Sequence, residues 1–432
     1  MGLETVKTWI YHIEKRQERL LLRVPFAVEE DIERLTIAYD FARYSESECE
    51  KGRLVRSEDN IVDLALEDPA HEEVGASGSA HGEIVVHENY ASAGYRPVRI
   101  KPGIWYVVLG AYKIMEGGCD VKLTVTQQMK ETVLLTGDTH AHTVHSDGWY
   151  TVEELIARAR QDRLDYLFIT DHNSMSAYPH IRSYPDLTVL PGMELTYYDG
   201  HCNLYGVERP VRTYVANGRA EILERMREAK QSGALIGINH PVEEACGWRL
   251  GFDSDVPCDL VEIWNGPYTQ RNADNMTMWH AQLCAGRRWP AVGGSDCHHD
   301  VLLRKLGTPA TFLYSRSRSG SDILEAMRQG HAFIGMSPDA PRVELQMGEA
   351  RMGDVCTKPN APLRLSFERL EAGDEIRIVD QTGVAWSGVP GGAYRYEMEY
   401  KTCGSLFVRA EVWRTLSANR VPVTVTNPIY LM

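Results

Sequence analysis

The sequence lacks the features of a disulfide-stapled or membrane-spanning protein. Its nine cysteines are odd in number and form no C-x-x-C pair, which argues against a disulfide scaffold. No stretch approaches the roughly 20 apolar residues that a membrane span requires. The N-terminal segment MGLETVKTWIYHIEKRQERLLLRVPF is interrupted by charges and offers no apolar signal core. We therefore expect a cytoplasmic protein with no membrane partner.

Positive charge is also in short supply. The chain has 46 Lys and Arg against 60 Asp and Glu, a formal net charge of -14. Such a surface repels a phosphate backbone, so we expect no polymeric nucleic acid as partner, and a nuclease is the least attractive function. A local basic pocket could still hold one small anion, and a mononucleotide or dinucleotide stays compatible with the composition.

Three regions differ in the pattern of their apolar residues. Residues 1–131 carry short β-type runs separated by turns, which predicts an N-terminal antiparallel β-sandwich. Residues 132–338 alternate helical and strand patterns, as in TVEELIARARQ (151–161) followed by DYLFIT (165–170). This alternation is typical of a parallel sheet or barrel, so we expect the α/β class. Residues 339–432 return to β-type runs and predict a C-terminal β module.

Metal-binding residue types follow several predicted strands of the middle region, and ten of the fifteen histidines fall between His140 and His299. In GDTHAHTVHSDG (137–148), His140 and His142 are two apart and share a face if the strand continues, and Asp147 lies in the turn beyond. Later strands are followed by Asp171 and His172, by Glu194 and His201, by His240, and by Asp296, His298 and His299. In α/β barrels such strand ends converge on one face. Burying so many imidazoles and carboxylates without an ion would be costly, which predicts a metal site.

These motifs resemble the PHP superfamily, named for polymerase and histidinol phosphatase. The succession is D-x-H-x-H-T-x-x-S-D-G, T-D-H-N, P-G-x-E, N-H-P and S-D-x-H, across residues 138–298. The resemblance implies a distorted (β/α)7 barrel with two or three divalent metal ions at its mouth. The flanking β modules more loosely resemble the carbaryl-hydrolase-like branch of that superfamily.

The resemblance also implies which residues hold each ion. His140, His142, Glu194 and Asp296 would bind the first ion; Asp147, His172 and His298 the second; and Glu194, His201 and His240 a third, with Glu194 bridging. A nitrogen and oxygen ligand set without thiolate fits Mn, Fe or Zn. Cys202 and Cys297 adjoin ligands, but we interpret them as packing residues.

Closely spaced divalent ions can ionise a shared water near neutral pH. We therefore expect a metal-dependent phosphoesterase that hydrolyses a small phosphorylated molecule by attack of a metal-bridging hydroxide. Arg249 could pair with the substrate phosphate, or form an ordinary surface ion pair. His145 and His299 could protonate a leaving group, although a structural role is favoured for each. Asp171 is expected to accept a hydrogen bond from a metal-binding histidine.

Two other functions stay open. The same metal site could hydrolyse a carbamate, ester or amide, because an activated water attacks carbonyl carbons equally well. The β modules could instead belong to a non-catalytic carbohydrate- or protein-binding protein, although the intact ligand set argues against it. Exposed β edges make a homodimer plausible.

Overall fold

The computed structural model describes residues 3–48, 54–79, 81–301, 304–358, 361–392 and 394–432. Its internal contacts divide the chain into two compact units, Met1–Glu131 and Thr132–Met432. The eight cysteines within the described ranges are free thiols, and Cys49 lies outside those ranges. Among the described helices, none has the length and apolarity that a membrane crossing requires.

The first unit is built of strands, apart from a short 3-10 helix at Lys15–Gln17. The strands are β1 (Glu4–Ile13), β2 (Leu21–Val28), β3 (Ile32–Phe41), β4 (Tyr44–Glu48), β5 (Leu54–Glu58), β6 (Ile61–Glu67), β7 (Glu73–Ser77), β8 (Glu83–His87), β9 (Gly103–Lys113) and β10 (Cys119–Met129).

Two four-stranded antiparallel sheets form this unit, in the orders β1-β10-β3-β8 and β2-β9-β6-β7. Alternate residues of β6 are buried, namely Val62, Leu64 and Leu66, as expected when one face of a strand covers a core. The buried side chains of both sheets, including Trp105, belong to a single apolar cluster. This shared core stabilises the unit.

The second unit contains the remaining strands and four α-helices. The strands are β11 (Val133–Asp138), β12 (Tyr166–Ile169), β13 (Thr188–Tyr197), β14 (Gly200–Tyr205), β15 (Leu235–Ile238), β16 (Leu260–Asn265), β17 (Ala291–Gly294), β18 (Ala310–Ser315), β19 (Ala332–Gly335), β20 (Arg342–Met347), β21 (Ala350–Arg351), β22 (Val355–Cys356), β23 (Leu363–Glu368), β24 (Glu375–Asp380), β25 (Gly383–Gly388), β26 (Arg395–Tyr400), β27 (Phe407–Leu416), β28 (Asn419–Thr426) and β29 (Ile429–Leu431). The helices are α1 (Val152–Gln161), α2 (Gly218–Gln231), α3 (Gln270–Cys284) and α4 (Gly320–Gln329), with a 3-10 turn at Tyr178–His180.

Helix α1 shows how the local sequence fixes an element. Thr151 caps the helix, since its side chain accepts a hydrogen bond from the Glu154 N–H while the Glu154 carboxylate accepts one from the Thr151 N–H. Leu155, Ile156 and Ala159 recur at helical spacing and are buried. The helix predicted from this periodicity is therefore confirmed.

The central sheet is mixed, which confirms the α/β class. Strands β11, β12 and β13 are parallel, as are β15, β16 and β17, but β14 runs antiparallel to both of its neighbours. The expected helix-then-strand alternation is wrong at β13–β14, where a tight hairpin joins the strands. Gly200, which begins β14 directly after that turn, has φ +136°, and a Cβ there would approach Trp248 to 2.7 Å. Strands β11 and β17 are not neighbours along this sheet, but the residues that follow them meet, because Ala141 and Cys297 form a parallel bridge.

The C-terminal strands continue the same sheet. β28 pairs antiparallel with β19, and β27 then connects β28 to β24. Phe312 and Phe333 share one apolar cluster with Val343 and Val408, so the core is continuous across residue 338. The predicted division into residues 132–338 and 339–432 stays a prediction.

Asp138, at the end of β11, joins several ligand-bearing segments. Its buried carboxylate accepts hydrogen bonds from the N–H groups of His140 (3.1 Å), Ser295 (3.0 Å) and Gly307 (2.7 Å). These donors belong to buried residues, so each depends on the carboxylate for its hydrogen bond. Asp138 therefore holds the end of β11 against the loop after β17.

Asp138→Ala is expected to lower the free energy of unfolding by about 3 kcal/mol or more, because it leaves three buried N–H groups without an acceptor. Denaturant unfolding followed by tryptophan fluorescence measures the change. The control is Asp186→Ala, which removes a largely exposed carboxylate paired with Arg160 and should cost less than about 1 kcal/mol. Equal stabilities for the two variants would contradict the bridging role of Asp138.

Candidate metal centre

The structure brings all nine expected metal ligands into one connected cluster. They come from the segments after β11, β12, β15 and β17, and from within β13 and β14: His140, His142, Asp147, His172, Glu194, His201, His240, Asp296 and His298. Glu194 lies inside β13 and not at a strand end as expected, and the antiparallel return of β14 carries His201 back to it.

Glu194 lies at the centre of this cluster, and one of its oxygens faces three imidazoles. Its Oε2 is 2.8 Å from His172 Nδ1, 3.4 Å from His140 Nε2 and 3.5 Å from His142 Nε2. The carboxylate is buried. One oxygen thus lies close to histidines that follow two different strands, β11 and β12.

The other oxygen of Glu194 faces a second pair of histidines. Oε1 is 3.1 Å from His201 Nδ1 and 3.5 Å from His240 Nε2, and it accepts a hydrogen bond of 2.8 Å from Asn239 Nδ2. The two carboxylate oxygens therefore point toward different groups of imidazoles, which is the geometry that a bridging ligand needs.

Several buried polar atoms of the cluster have no hydrogen-bond partner in the described part of the chain. They are His140 Nε2, both ring nitrogens of His142 and Glu194 Oε2. Asp296 Oδ1 lies 3.1 Å from His142 Nε2 and 3.4 Å from His140 Nε2. Ligands about 2.0–2.2 Å from a common ion are separated by roughly 3–3.5 Å. These residues fit a divalent metal ion, because it would satisfy atoms that are otherwise buried without a partner.

A second set of candidate ligands lies toward solvent. His142, Asp147, His172 and His298 each offer an atom within 4.8 Å of the others. Asp147 Oδ1 is 3.2 Å from His298 Nε2 and 3.6 Å from His172 Nε2, and the Asp147 side chain is 59% exposed. This side of the cluster is open enough for a substrate to reach it.

A third set contains a thiol that the sequence analysis did not consider. His201, His240 and Cys246 can present ligand atoms within 4.8 Å of one another, and Cys246 Sγ lies 3.6 Å from His240 Nδ1. Cys202 and Cys297 are buried, and burial raises the pKa of the Cys297 thiol to about 12. Both remain packing residues by prediction.

The carboxyl groups and imidazoles of the cluster shift each other's pKa values. Burial opposes ionisation of Glu194, but His140 and the neighbouring imidazoles hold the pKa of its carboxyl well below the usual range. For Asp296, burial likewise raises the pKa, and His140 and His142 outweigh it and lower the pKa. Burial lowers the pKa of His142, whereas contacts with Glu194 and other neighbours outweigh burial and raise the pKa of His140 and His240. A bound ion would compete with the protons on these imidazoles.

Glu262 is a buried carboxylate that the sequence analysis missed. It lies in β16, where its Oε1 is 2.9 Å from His140 Nδ1 and its Oε2 accepts hydrogen bonds from the His240 N–H and from Asn265 Nδ2. A carboxylate on the outer ring nitrogen orients a histidine and raises its basicity as a ligand. The signal available in the sequence was a lone acidic residue inside the apolar run DLVEIWN.

Asp171 differs from its expected role. Its buried carboxylate accepts hydrogen bonds from the Thr143 N–H (2.7 Å), from Thr143 Oγ1 (2.8 Å) and from Ser146 Oγ (2.7 Å). It therefore secures the loop between His142 and Asp147, in place of the histidine contact that was expected.

The other expected catalytic residues lie near the cluster in sequence, and their contacts differ. His145 Nδ1 is 2.8 Å from Ser176 Oγ. His299 is half-buried, and its Nδ1 has no hydrogen-bond partner within the described ranges. Arg249 is exposed and donates to the Glu244 carbonyl (2.8 Å). Their catalytic roles stay predictions.

Two candidate ligands have strained backbones. His240 has φ +28° and Asp296 has φ +51°, in the left-handed region that side chains other than glycine seldom adopt. Such strain persists only where surrounding contacts enforce it, and it concentrates at functional sites.

Residues 138–259 match the PHP domain. This segment contains seven of the nine candidate ligands, all except Asp296 and His298. The PHP match and the ligand cluster together support a metal-dependent hydrolase.

Two relatives are each similar to part of the chain. The 5'-3' exoribonuclease Rnm of Escherichia coli is 33% identical over an alignment of 119 residues that covers 23% of this chain and 41% of that protein. An uncharacterized protein of Methanocaldococcus jannaschii is 32% identical over 126 residues, 28% of this chain and 54% of that protein. The chain thus spans only about half or less of the length of these relatives.

One solved structure aligns with more of the chain. It is a two-domain protein of Bacteroides vulgatus described as containing a predicted PHP-like metal-dependent phosphoesterase. The alignment covers 68% of this chain and 95% of that protein, with 16% sequence identity and a TM-score of 0.40.

Glu262→Gln is expected to weaken divalent metal binding by about 10- to 100-fold, because it removes the charge that supports His140. Competition with a chelating dye measures the affinity. The control is Glu411→Gln, another buried carboxylate, which pairs with Arg409 and should leave metal affinity unchanged. Wild-type affinity in Glu262→Gln would show that this carboxylate does not support the centre.

Proposed function

We propose that this chain is a metal-dependent phosphoesterase that hydrolyses a small phosphate ester. The observation that carries the proposal is the buried Glu194, whose two oxygens face separate groups of imidazoles. One of these groups, His140 and His142, has buried nitrogens without a hydrogen-bond partner among the described residues. Divalent ions held there would lower the pKa of a water and neutralise charge that develops on a phosphoryl group. The ions would be held by the three sets of residues described above.

Arg304 supports a phosphate ester over an uncharged carbonyl substrate. Its Nη1 donates to the carbonyl oxygen of Asp296 (3.1 Å) and to Asp296 Oδ2 (3.2 Å). Its Nε and Nη2 have no hydrogen-bond partner among the described residues, and the side chain is partly exposed. A guanidinium with free N–H groups beside a ligand carboxylate can bind the oxygens of a phosphoryl group.

Gly266 makes room for this guanidinium. It has φ +54°, and a Cβ at this position would lie 3.1–3.2 Å from Nη2, Nε and Cζ of Arg304. The planar group therefore rests close to the Gly266 backbone, with its position fixed from two sides. We infer that Arg304 orients the phosphoryl group, a role that the sequence analysis gave to Arg249.

We also propose a barrel architecture and flanking β modules for this chain. The bridge between Ala141 and Cys297 supports a closed, distorted (β/α)7 barrel for residues 132–338, with β-sandwich modules at residues 1–131 and 339–432. We propose Mn, Fe or Zn in two or three sites, a place in the carbaryl-hydrolase-like branch, a cytoplasmic location and a homodimer.

Nucleic acid is the less favoured substrate class, and it is included in the test below as a comparison. One relative is named as an exoribonuclease, whereas the net charge of -14 disfavours binding of a long polyanion. We propose a small phosphate ester as substrate, and a 5'-phosphorylated oligonucleotide is the appropriate comparison.

Chelation of bound metal should abolish hydrolysis of para-nitrophenyl phosphate, and added Mn, Zn or Fe should restore it, because the clustered carboxylates and imidazoles require an ion to act on water. Assays of the phosphate monoester, the diester, a naphthyl carbamate and the oligonucleotide identify the reaction. Undiminished turnover after complete metal removal, or turnover of the carbamate alone, would refute the proposal.

Arg304→Ala should raise KM for the phosphate monoester by about 10- to 100-fold, since hydrogen bonds to a charged group are lost. Arg304→Lys should recover only part of this, because a lysine lacks the planar fork. Arg249→Ala is the comparison variant, and steady-state kinetics provide the measurement. A larger effect at Arg249 than at Arg304 would favour the sequence-based choice and contradict ours.

A further inference from the structure

Trp149 is an exposed aromatic side chain beside the candidate metal centre. It follows Asp147 by two residues, and its side chain is 70% exposed. Burial of a tryptophan removes a large apolar area from water, so an indole left exposed is available for binding an apolar group. Single exposed apolar residues are common on protein surfaces, so the case for Trp149 depends on how it is held.

The backbone around Trp149 is fixed against two ligand segments. The Trp149 N–H donates to the carbonyl of His298 (2.7 Å), and the Gly148 N–H donates to the carbonyl of Thr143 (3.0 Å). A Cβ on Gly148 would come within 2.5 Å of the carbonyl oxygen of His142, so only glycine permits this close approach. The position of Trp149 relative to His142 and His298 is therefore set by the same contacts that arrange the candidate ligands.

The indole ring is also held in orientation. It stacks on the imidazole of His299, with ring centroids 4.1 Å apart and an interplanar angle of 14°. One face of the indole is covered by this ring, and the high exposure of the side chain leaves the other face accessible. The ring is thus a rigid, flat surface ordered before any ligand arrives.

Further apolar surface lies on the same two segments. Val144, in the loop that carries Asp147, and Val301, three residues after His298, are both exposed. Polar and charged residues form the centre itself, so exposed apolar side chains on the segments that carry its ligands suit a substrate with an anionic group at one end and an apolar group at the other.

We propose that Trp149, supported by His299, is a binding platform for a planar aromatic group of the substrate, next to the metal centre that receives its anionic group. This inference rests on the proposed function for the identity of the anionic group. Stacking of an aromatic ring on Trp149 contributes binding free energy and does not depend on the hydrogen-bonding groups of that ring, so both aryl and nucleobase groups fit.

The test uses ligands that cannot be hydrolysed. Phenylphosphonate and methylphosphonate carry the same anionic head, and only the first carries a ring. Calorimetric titration of the metal-loaded full chain should give about 10-fold tighter binding of phenylphosphonate, as expected for one aromatic stack. In Trp149→Ala the two dissociation constants should become nearly equal, and in Trp149→Phe most of the preference should persist.

The control is Tyr112→Ala, which removes an aromatic side chain of similar exposure (68%) from β9 and should keep the phenyl preference. Metal content is measured for every variant, so that loss of an ion is not mistaken for loss of the platform. The KM values of adenosine monophosphate and ribose 5-phosphate are compared in the same variants. This pair tests whether Trp149 binds a nucleobase.

The outcomes separate the two proposals. If the wild type prefers the ring-bearing ligand in neither pair, or if the preference survives in Trp149→Ala, the platform is overturned even if phosphate esters are hydrolysed. A preference that depends on Trp149 in a chain that hydrolyses no phosphate ester supports the platform and refutes the phosphoesterase. Dependence on Trp149 for the phenyl pair alone identifies an aryl ligand, and dependence for the nucleotide pair alone identifies a nucleobase.

Discussion

The buried carboxylate of Glu194 is the constraint on which the site depends. An isolated carboxylate in the protein interior costs several kcal/mol, and it is tolerated only when partners compensate its charge. Here the partners are imidazoles that arrive from four separate chain segments: His140 and His142, His172, His201, and His240. Each of these segments must place its histidine at the same point of the sheet for the charge to be compensated. The chemistry of one side chain thereby couples the register of many strands.

Much of this arrangement could be predicted from the sequence. The two-residue spacing of His140 and His142 after an apolar run indicated a shared face, and the capping residues around Thr151 marked the start of α1. The convergence of strand ends needed only the alternation of helix and strand patterns. These inferences depend on local periodicity, which a single sequence records well.

Other features depend on pairings that local patterns do not record. The apolar run around Glu194 is compatible with a parallel or an antiparallel neighbour, so the β13–β14 hairpin that brings in His201 was not apparent. Glu262 is one acidic residue in an apolar strand, and only the fold shows that it faces His140. Arg304 is brought beside Asp296 by a loop whose path follows from tertiary contacts. Such residues reach the site only in the folded chain, and their positions in the sequence do not indicate that they are close to it.

The pairing of β28 with β19 has a consequence for any attempt to isolate the hydrolase region. A fragment ending near residue 338 would lose β28 and Asn427 after it, so the carbonyl of Ala332 and the N–H of Met336 would lose the hydrogen bonds they make with Asn427 and Val423. Such an uncovered edge is a template for association with other chains. The same cut would divide the apolar cluster that joins Phe312 to Val408. The boundary near residue 338 is therefore a poor place to truncate the chain. The C-terminal strands pair with a sheet edge that such a fragment would leave exposed.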